Sequence, residues 1–200
     1  MVKPQVQKHS TSPALALGRA AGVANLVFMT DSARAPDPVR VCNALPAGSI
    51  IICRDYDHAD RLGLAMLLRR VTRSQKQLLL VAGDPALARL VGADGVHLPE
   101  YQLRKSPKLA IFSLVSAACH TASSILRAQR IGVDFAIVSP IFATESHPHA
   151  AKLGVHKLAR LVKISRIPLV ALGGITAENV GQLKGVDLMG IAAIGAFARL

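Results

Sequence analysis

Short runs of Val, Ile and Leu recur along this 200-residue chain, and most are separated by a stretch whose apolar residues fall at helical spacing. The pattern predicts strands at 25–30 (NLVFMT), 49–54 (SIIICR), 77–82 (QLLLVA), 94–97 (DGVH), 109–114 (LAIFSL), 134–138 (DFAIV), 167–172 (IPLVAL) and 187–193 (DLMGIAA). These runs are continuously apolar instead of alternating, as expected of strands covered on both faces in a parallel sheet. Between them, DHADRLGLAMLLRRV places an Asp ahead of an amphipathic helix, and DPALARLVG begins on Asp-Pro and ends on Gly. HTASSILRAQRIG and TAENVGQLKG repeat that grammar. Eight strands alternating with helices predict a compact α/β fold, a closed (β/α)8 TIM barrel, with an open doubly wound sheet as the runner-up. The first strand is not followed by a GxGxxG turn, which removes the main support for a dinucleotide-binding sheet.

The chain stops three residues after Phe197, so the last helix is expected to be truncated. Residues 1–24 read as a basic N-terminal extension and 25–200 as the barrel domain. TSPALALGRAAG (11–22) is a candidate short helix to cover the last strand, a role that a partner subunit would also fill. Lys3, Lys8 and Arg19 precede the first acidic residue, Asp31, a pattern shared by transit peptides and by plain basic extensions; the extension is favoured. Three cysteines at wide spacing, with no CxxC, argue against a disulfide framework or a zinc knuckle and fit a reducing cytoplasm. No run is long and apolar enough for a membrane span.

The net charge of +12 favours anionic ligands. Aromatics make up only 4% and the basic residues are dispersed, so the charge points to a small phosphorylated ligand and argues against nucleic acid. In a barrel the loops after the strands form the working face. There the glycine pair Gly173 and Gly174, in VALGGITAEN, is expected to open a helix whose amides accept a phosphate, with Gly195 supplying a second set. If not, those glycines only make tight turns. Arg54, ending an apolar strand, either grips an anion or pairs with Asp55, Asp57 or Asp84. His97 reads as a satisfied buried imidazole. His147, His149 and Lys152 read as a basic loop, and the HxH pair lacks a carboxylate or cysteine to complete a metal site.

GADGVHLPE (92–100), VDFAIVSPIFATESHP (133–148) and IPLVALGGITAENV (167–180), in that order, closely resemble the thiamine-phosphate synthase/TenI family. The resemblance covers roughly residues 25–197 and implies a barrel that binds hydroxyethylthiazole phosphate. In the synthase this ligand is joined to a pyrimidine diphosphate with magnesium on the departing pyrophosphate; in the TenI branch a thiazole is tautomerised. Carried over by position, Gly173 and Gly174 match the family's phosphate glycines, and Ile194 and Gly195 its Val-Ser pair. Arg54 matches the arginine of its QxRxK strand end, and Lys152 and His147 stand by as further cations. The metal side departs from the family: Ile52 and Tyr56 replace Gln and Lys, Ala82 and Gly83 replace Asn-Asp, Gln102 replaces a further Asp, and Ala118 replaces a Ser. Asp84 and Glu100 are the candidate substitutes for magnesium ligands. The TenI histidine is Pro140, so a tautomerase base would come from His120 or His147. The readings carried forward are a divergent transferase, a tautomerase and a phosphate-binding barrel without turnover, each compatible with a homo-oligomer.

Overall fold

The computed structural model describes residues 13–104, 109–144 and 152–198. Eight parallel strands close into a barrel in sequence order: β1 (Asn25–Met29), β2 (Ile50–Cys53), β3 (Leu78–Ala82), β4 (Gly95–Leu98), β5 (Leu114–Cys119), β6 (Phe135–Val138), β7 (Leu169–Leu172) and β8 (Gly190–Ala193). Closure is made by β8 on β1, where Asn25 pairs with Gly190 and Phe28 with Ala193. The expected TIM barrel is therefore the fold, and the open sheet is excluded.

Each strand reads as continuously apolar because its two faces meet different apolar layers. Phe28, Ile51 and Val81 point outward beneath the helices, while Met29, Ile52, Leu80 and Ile137 fill the barrel interior. Outside the barrel lie α1 (Pro13–Ala21), α2 (Pro38–Ala44), α3 (Arg61–Ser74), α4 (Pro85–Leu90), α5 (Ala122–Arg130), α6 (Gly154–Ile164) and α7 (Gly195–Ala198), with 3-10 turns at Glu100–Arg104 and Val180–Leu183. The capping signals act as written. Asp60 accepts from Gly63 N, Asp84 accepts from Leu87 N ahead of Pro85, and Thr121 exchanges bonds with Ser124 in a capping box. Asp94 and Asp134, within two of the family-like motifs, accept from the strand amides of Leu79 and Val115 and hold neighbouring strands in register.

Two expectations change. The fifth strand is Leu114–Cys119, five residues later than the apolar count placed it. Residues 109–113 are a connection instead, turned by the Phe112 N–H donating to Leu109 O, with Ile111 exposed. The true strand is poor in large apolar residues because its inward positions are small, and its Ser116 is satisfied by His97 across the interior. The helix expected over TAENVGQLKG is only the 3-10 turn Val180–Leu183, since Asn179 folds back to accept from Thr176 N and donate to Gly174 O, leaving too few residues for an α-helix. The last helix, α7, spans four residues, and α1 packs against β1, β8 and the Val180–Leu183 turn, covering the wall beside the last strand. Among the described residues no helix is long and apolar enough to cross a membrane.

Candidate functional site

A cavity of about 850 Å³ opens at the carboxyl ends of the strands. Its wall brings together Arg54, His120, Gly173, Gly174, Ile194 and Gly195, six of the residues proposed from the sequence. The two glycine turns, though separated by a strand, face the same space.

They reach it for different reasons. Gly173 and Gly174 have φ of +99° and +65°, and the loop after β6 lies directly on them: a methyl group on Gly173 would fall 2.8 Å from Pro140 Cα, and one on Gly174 would fall 2.2 Å from Ala143 O. Ile141 N and Phe142 N donate to Leu172 O and Gly173 O and fix that approach. No α-helix opens behind the pair, so recognition of an anion here rests on individual backbone amides and not on a helix dipole. At Gly195 an added methyl would meet nothing within 4 Å, so the missing side chain leaves space open over the cavity.

Arg54 leaves the end of β2 with its backbone N–H donating to Thr30 Oγ1 and its Nε to Thr30 O. Its guanidinium pairs with Asp31 at 2.5 Å, not with Asp55, Asp57 or Asp84. The same Asp31 oxygen accepts from Arg34 at 2.6 Å, so both arginines are tethered to one carboxylate. Burial opposes ionisation of Asp31, but the hydrogen bonds and charge of Arg34, with the charge of Arg54, outweigh it and hold the carboxyl below its ordinary value. Arg34 lines the cavity too. Neither Asp31 nor Arg34 was picked out from the sequence; the available signal was charged residues in TDSAR, immediately after the first strand, on the working face.

His120 follows β5. Its Nδ1 lies 2.7 Å from Ser139 O, which can only accept, so Nδ1 carries a proton. Glu100 accepts from the His120 backbone N–H and stands 4.0 Å from Nε2. His97 is the buried imidazole expected: it is 2% exposed, its Nδ1 is 2.8 Å from Ser116 Oγ, and burial, with the nearby charge of Arg54, lowers its pKa to about 3. It stays neutral through the physiological range.

The remaining candidates do not gather. Lys152 is exposed and lies outside the cavity lining, and His147 and His149 fall outside the described residues. Asp84 spends one oxygen on the α4 cap and lies 3.8 Å from Arg61 with the other. Around it the strand-end oxygens are already taken: Arg61 donates to Ala82 O at 2.5 Å and Gln102 Nε2 to Gly83 O at 2.9 Å. The Arg61 guanidinium also stacks over the Tyr56 ring, 5.3 Å from its centre. Among the described residues no group of three His, Cys, Asp or Glu is placed to hold a metal ion.

The thiamine monophosphate synthase family model matches residues 26–197. A counterpart in Aquifex aeolicus is 37% identical over 148 residues, covering 72% of this chain and 80% of that protein. The thiamine-phosphate synthase of Herpetosiphon aurantiacus is 31% identical over 166 residues, 80% of this chain and 81% of that one. Among solved structures, the thiamine phosphate pyrophosphorylase of Pyrococcus furiosus superposes with a TM-score of 0.69 at 28% identity, over 88% of this chain and 90% of that one.

Proposed function

This chain belongs to the thiamine monophosphate synthase family, and on that premise we propose that it works in thiamine biosynthesis as a transferase joining a thiazole phosphate to a pyrimidine diphosphate. The observation that carries the reading is the convergence of both glycine turns and Arg54 on one cavity at the barrel mouth. The backbone amides at Gly173, Gly174, Ile194 and Gly195 hold the thiazole phosphate, and Arg54 faces the diphosphate. In the reaction the bond from the pyrimidine methylene to the diphosphate oxygen breaks, and its electron pair leaves with pyrophosphate. The thiazole nitrogen then closes the new bond with its own lone pair. No proton needs to be removed for this, so the step asks no general base of His120, which lines the cavity. Lys152 is a reserve cation outside the cavity lining, and His147 lies outside the described residues.

The family's magnesium has no matching ligand set among the described residues. Asp84 is committed to its helix cap, Glu100 to the His120 backbone, and the carbonyl oxygens after β3 to Arg61 and Gln102. No step above passes through a metal. In the same proposal residues 25–200 are the catalytic unit, residues 1–24 an extension, and the protein a cytoplasmic homo-oligomer; its three cysteines are free and buried, in keeping with a reducing compartment.

The test is direct. Purified protein incubated with both substrates is expected to yield thiamine phosphate. If none forms while thiazole phosphate still raises the melting temperature, the barrel binds without turnover and the transferase reading is lost.

A further inference from the structure

The contacts assigned above hold phosphoryl groups and leave the substrate rings without a binding surface. Among the described residues, the only Phe or Tyr side chains on the cavity wall are Tyr56 and Tyr101. They are also the chain's two tyrosines, in a sequence without tryptophan. Tyr56 is 45% exposed and Tyr101 63%, a large aromatic surface left open at one mouth.

The two rings come from different strand ends and are tied together through the end of β3, which lies between them. Tyr56 follows β2, just beyond Arg54, and Tyr101 stands in the 3-10 turn after β4. A methyl on Gly83 would fall 3.0 Å from Tyr56 Cε1, so the ring edge rests where a side chain at the end of β3 would crowd it. Gln102 Nε2 donates to Gly83 O at 2.9 Å and lies 3.5 Å from Tyr101 Oη. Behind Tyr56, the Arg61 guanidinium sits 5.3 Å from the ring centre, anchored by its bond to Ala82 O. One face of Tyr56 is thereby occupied and one edge packed, and what remains open belongs to the cavity wall. The face of an aromatic ring carries negative charge and offers a phosphoryl group little, whereas a flat nitrogen heterocycle gains by stacking on it. In the pyrimidine diphosphate a single methylene joins ring and diphosphate, so an anion held at Arg54 brings the pyrimidine to the groups beside Arg54.

We propose that Tyr56 and Tyr101 form the pyrimidine-binding surface, the planar ring stacking on the open face of Tyr56 with Tyr101 flanking it at the rim. This rests on the transferase reading, but it is tested by binding alone. The pyrimidine diphosphate and inorganic pyrophosphate are titrated calorimetrically, in a magnesium buffer, into the full chain as wild type, Tyr56→Phe, Tyr56→Leu and Tyr101→Leu. Tyr56→Leu is expected to weaken the pyrimidine diphosphate about tenfold and Tyr101→Leu about threefold, with pyrophosphate affinity kept within about twofold. Tyr56→Phe should bind both ligands as wild type does. Melting temperatures report on folding, and the exposed Tyr101 keeps the test open if Tyr56→Leu unfolds. Unchanged pyrimidine diphosphate affinity in a folded leucine variant removes that tyrosine from the surface and overturns the proposal. A parallel loss of pyrophosphate, or a loss in Tyr56→Phe equal to that in Tyr56→Leu, makes the hydroxyl an anion ligand and overturns it likewise; the transferase reading stands in each of these cases. If wild type binds no pyrimidine diphosphate, both readings fall together. Tyrosine-dependent binding without formation of thiamine phosphate sinks the transferase reading alone, so the two failures are distinguishable.

Discussion

The two halves of the cavity wall are made of different material. Along β7 and β8 the wall is backbone: glycine turns at Gly173, Gly174 and Gly195, whose useful groups are amides that every residue carries. Along β1 to β4 it is side chain: Arg34, Arg54, Tyr56 and Glu100. By the resemblance, the first half follows the family pattern, with Ile194-Gly195 at its Val-Ser position still carrying the amides, and the second half is where the family's Gln, Lys, Asn and Asp are expected to have been exchanged. A binding surface made of main chain tolerates replacement of side chains so long as the turn survives, whereas one made of side chains is remade by each substitution. The difference is thus physical, and it can be probed on both sides.

The largest effect is expected where the backbone half is packed against its neighbour. Gly174→Ala puts a methyl 2.2 Å from Ala143 O at a φ of +65°, and it should lower unfolding free energy by about 3 kcal/mol, through overpacking and backbone strain together. Denaturant melts read this directly. A Gly174→Ala protein as stable as wild type would show that the turn is not held by the loop after β6.

Next comes the side-chain half. Arg54→Ala should reduce kcat/KM for the pyrimidine diphosphate by about a hundredfold to a thousandfold, since it removes charge-assisted bonds to the departing anion. Thiazole phosphate affinity should stay unchanged. Equal loss of both ligands would erase the division between the halves.

Much of this division was legible in the residues. Continuous apolar runs marked six of the eight strands within two residues and the last with a start three residues early, because both faces of a barrel strand are covered. The fifth was displaced, since a strand whose inward Ser116 is satisfied by His97 needs no apolar density there. The glycine pair was legible as part of the cavity wall, but the helix expected behind it is absent: Asn179 closes the segment as a turn. Arg54 was legible at the cavity mouth, while its tether was not. Asp31 lies 23 residues earlier in another loop, and only the parallel pairing of β1 with β2 brings it beside Arg54. The network of Arg61, Gln102 and Gly83 joins three separate strand ends, and no local pattern announces it.

A smaller effect separates two kinds of glycine within the backbone half. Gly195→Ala meets no atom within 4 Å, so its melting temperature should stay within about 2 °C of wild type. Its methyl would project into the space assigned to the phosphate, and thiazole phosphate affinity should fall about tenfold. This inverts the Gly174→Ala result, stability kept and binding lost. Unchanged affinity would remove Gly195 from the phosphate site.

At neutral pH the smallest effect belongs to His97, which lies in β4 at the edge of the side-chain half and is assigned to neither ligand. Its pKa is lowered to about 3 in the folded protein from an ordinary value of 6.5, first by burial. Between those values the unfolded chain binds a proton that the folded protein refuses. Stability contributed by the neutral ring is therefore fully present above pH 6.5 and declines as pH falls toward 3, by at most about 1.4 kcal/mol per pH unit from this one group. His97→Gln, which keeps a hydrogen-bonding partner for Ser116, should flatten the stability profile of the acid limb and leave the neutral-pH affinities for pyrophosphate and thiazole phosphate as they are. An unaltered acid limb would mean that His97 is protonated in the fold. A changed affinity would give it a place in one of the halves, so the wall could no longer be divided at β4.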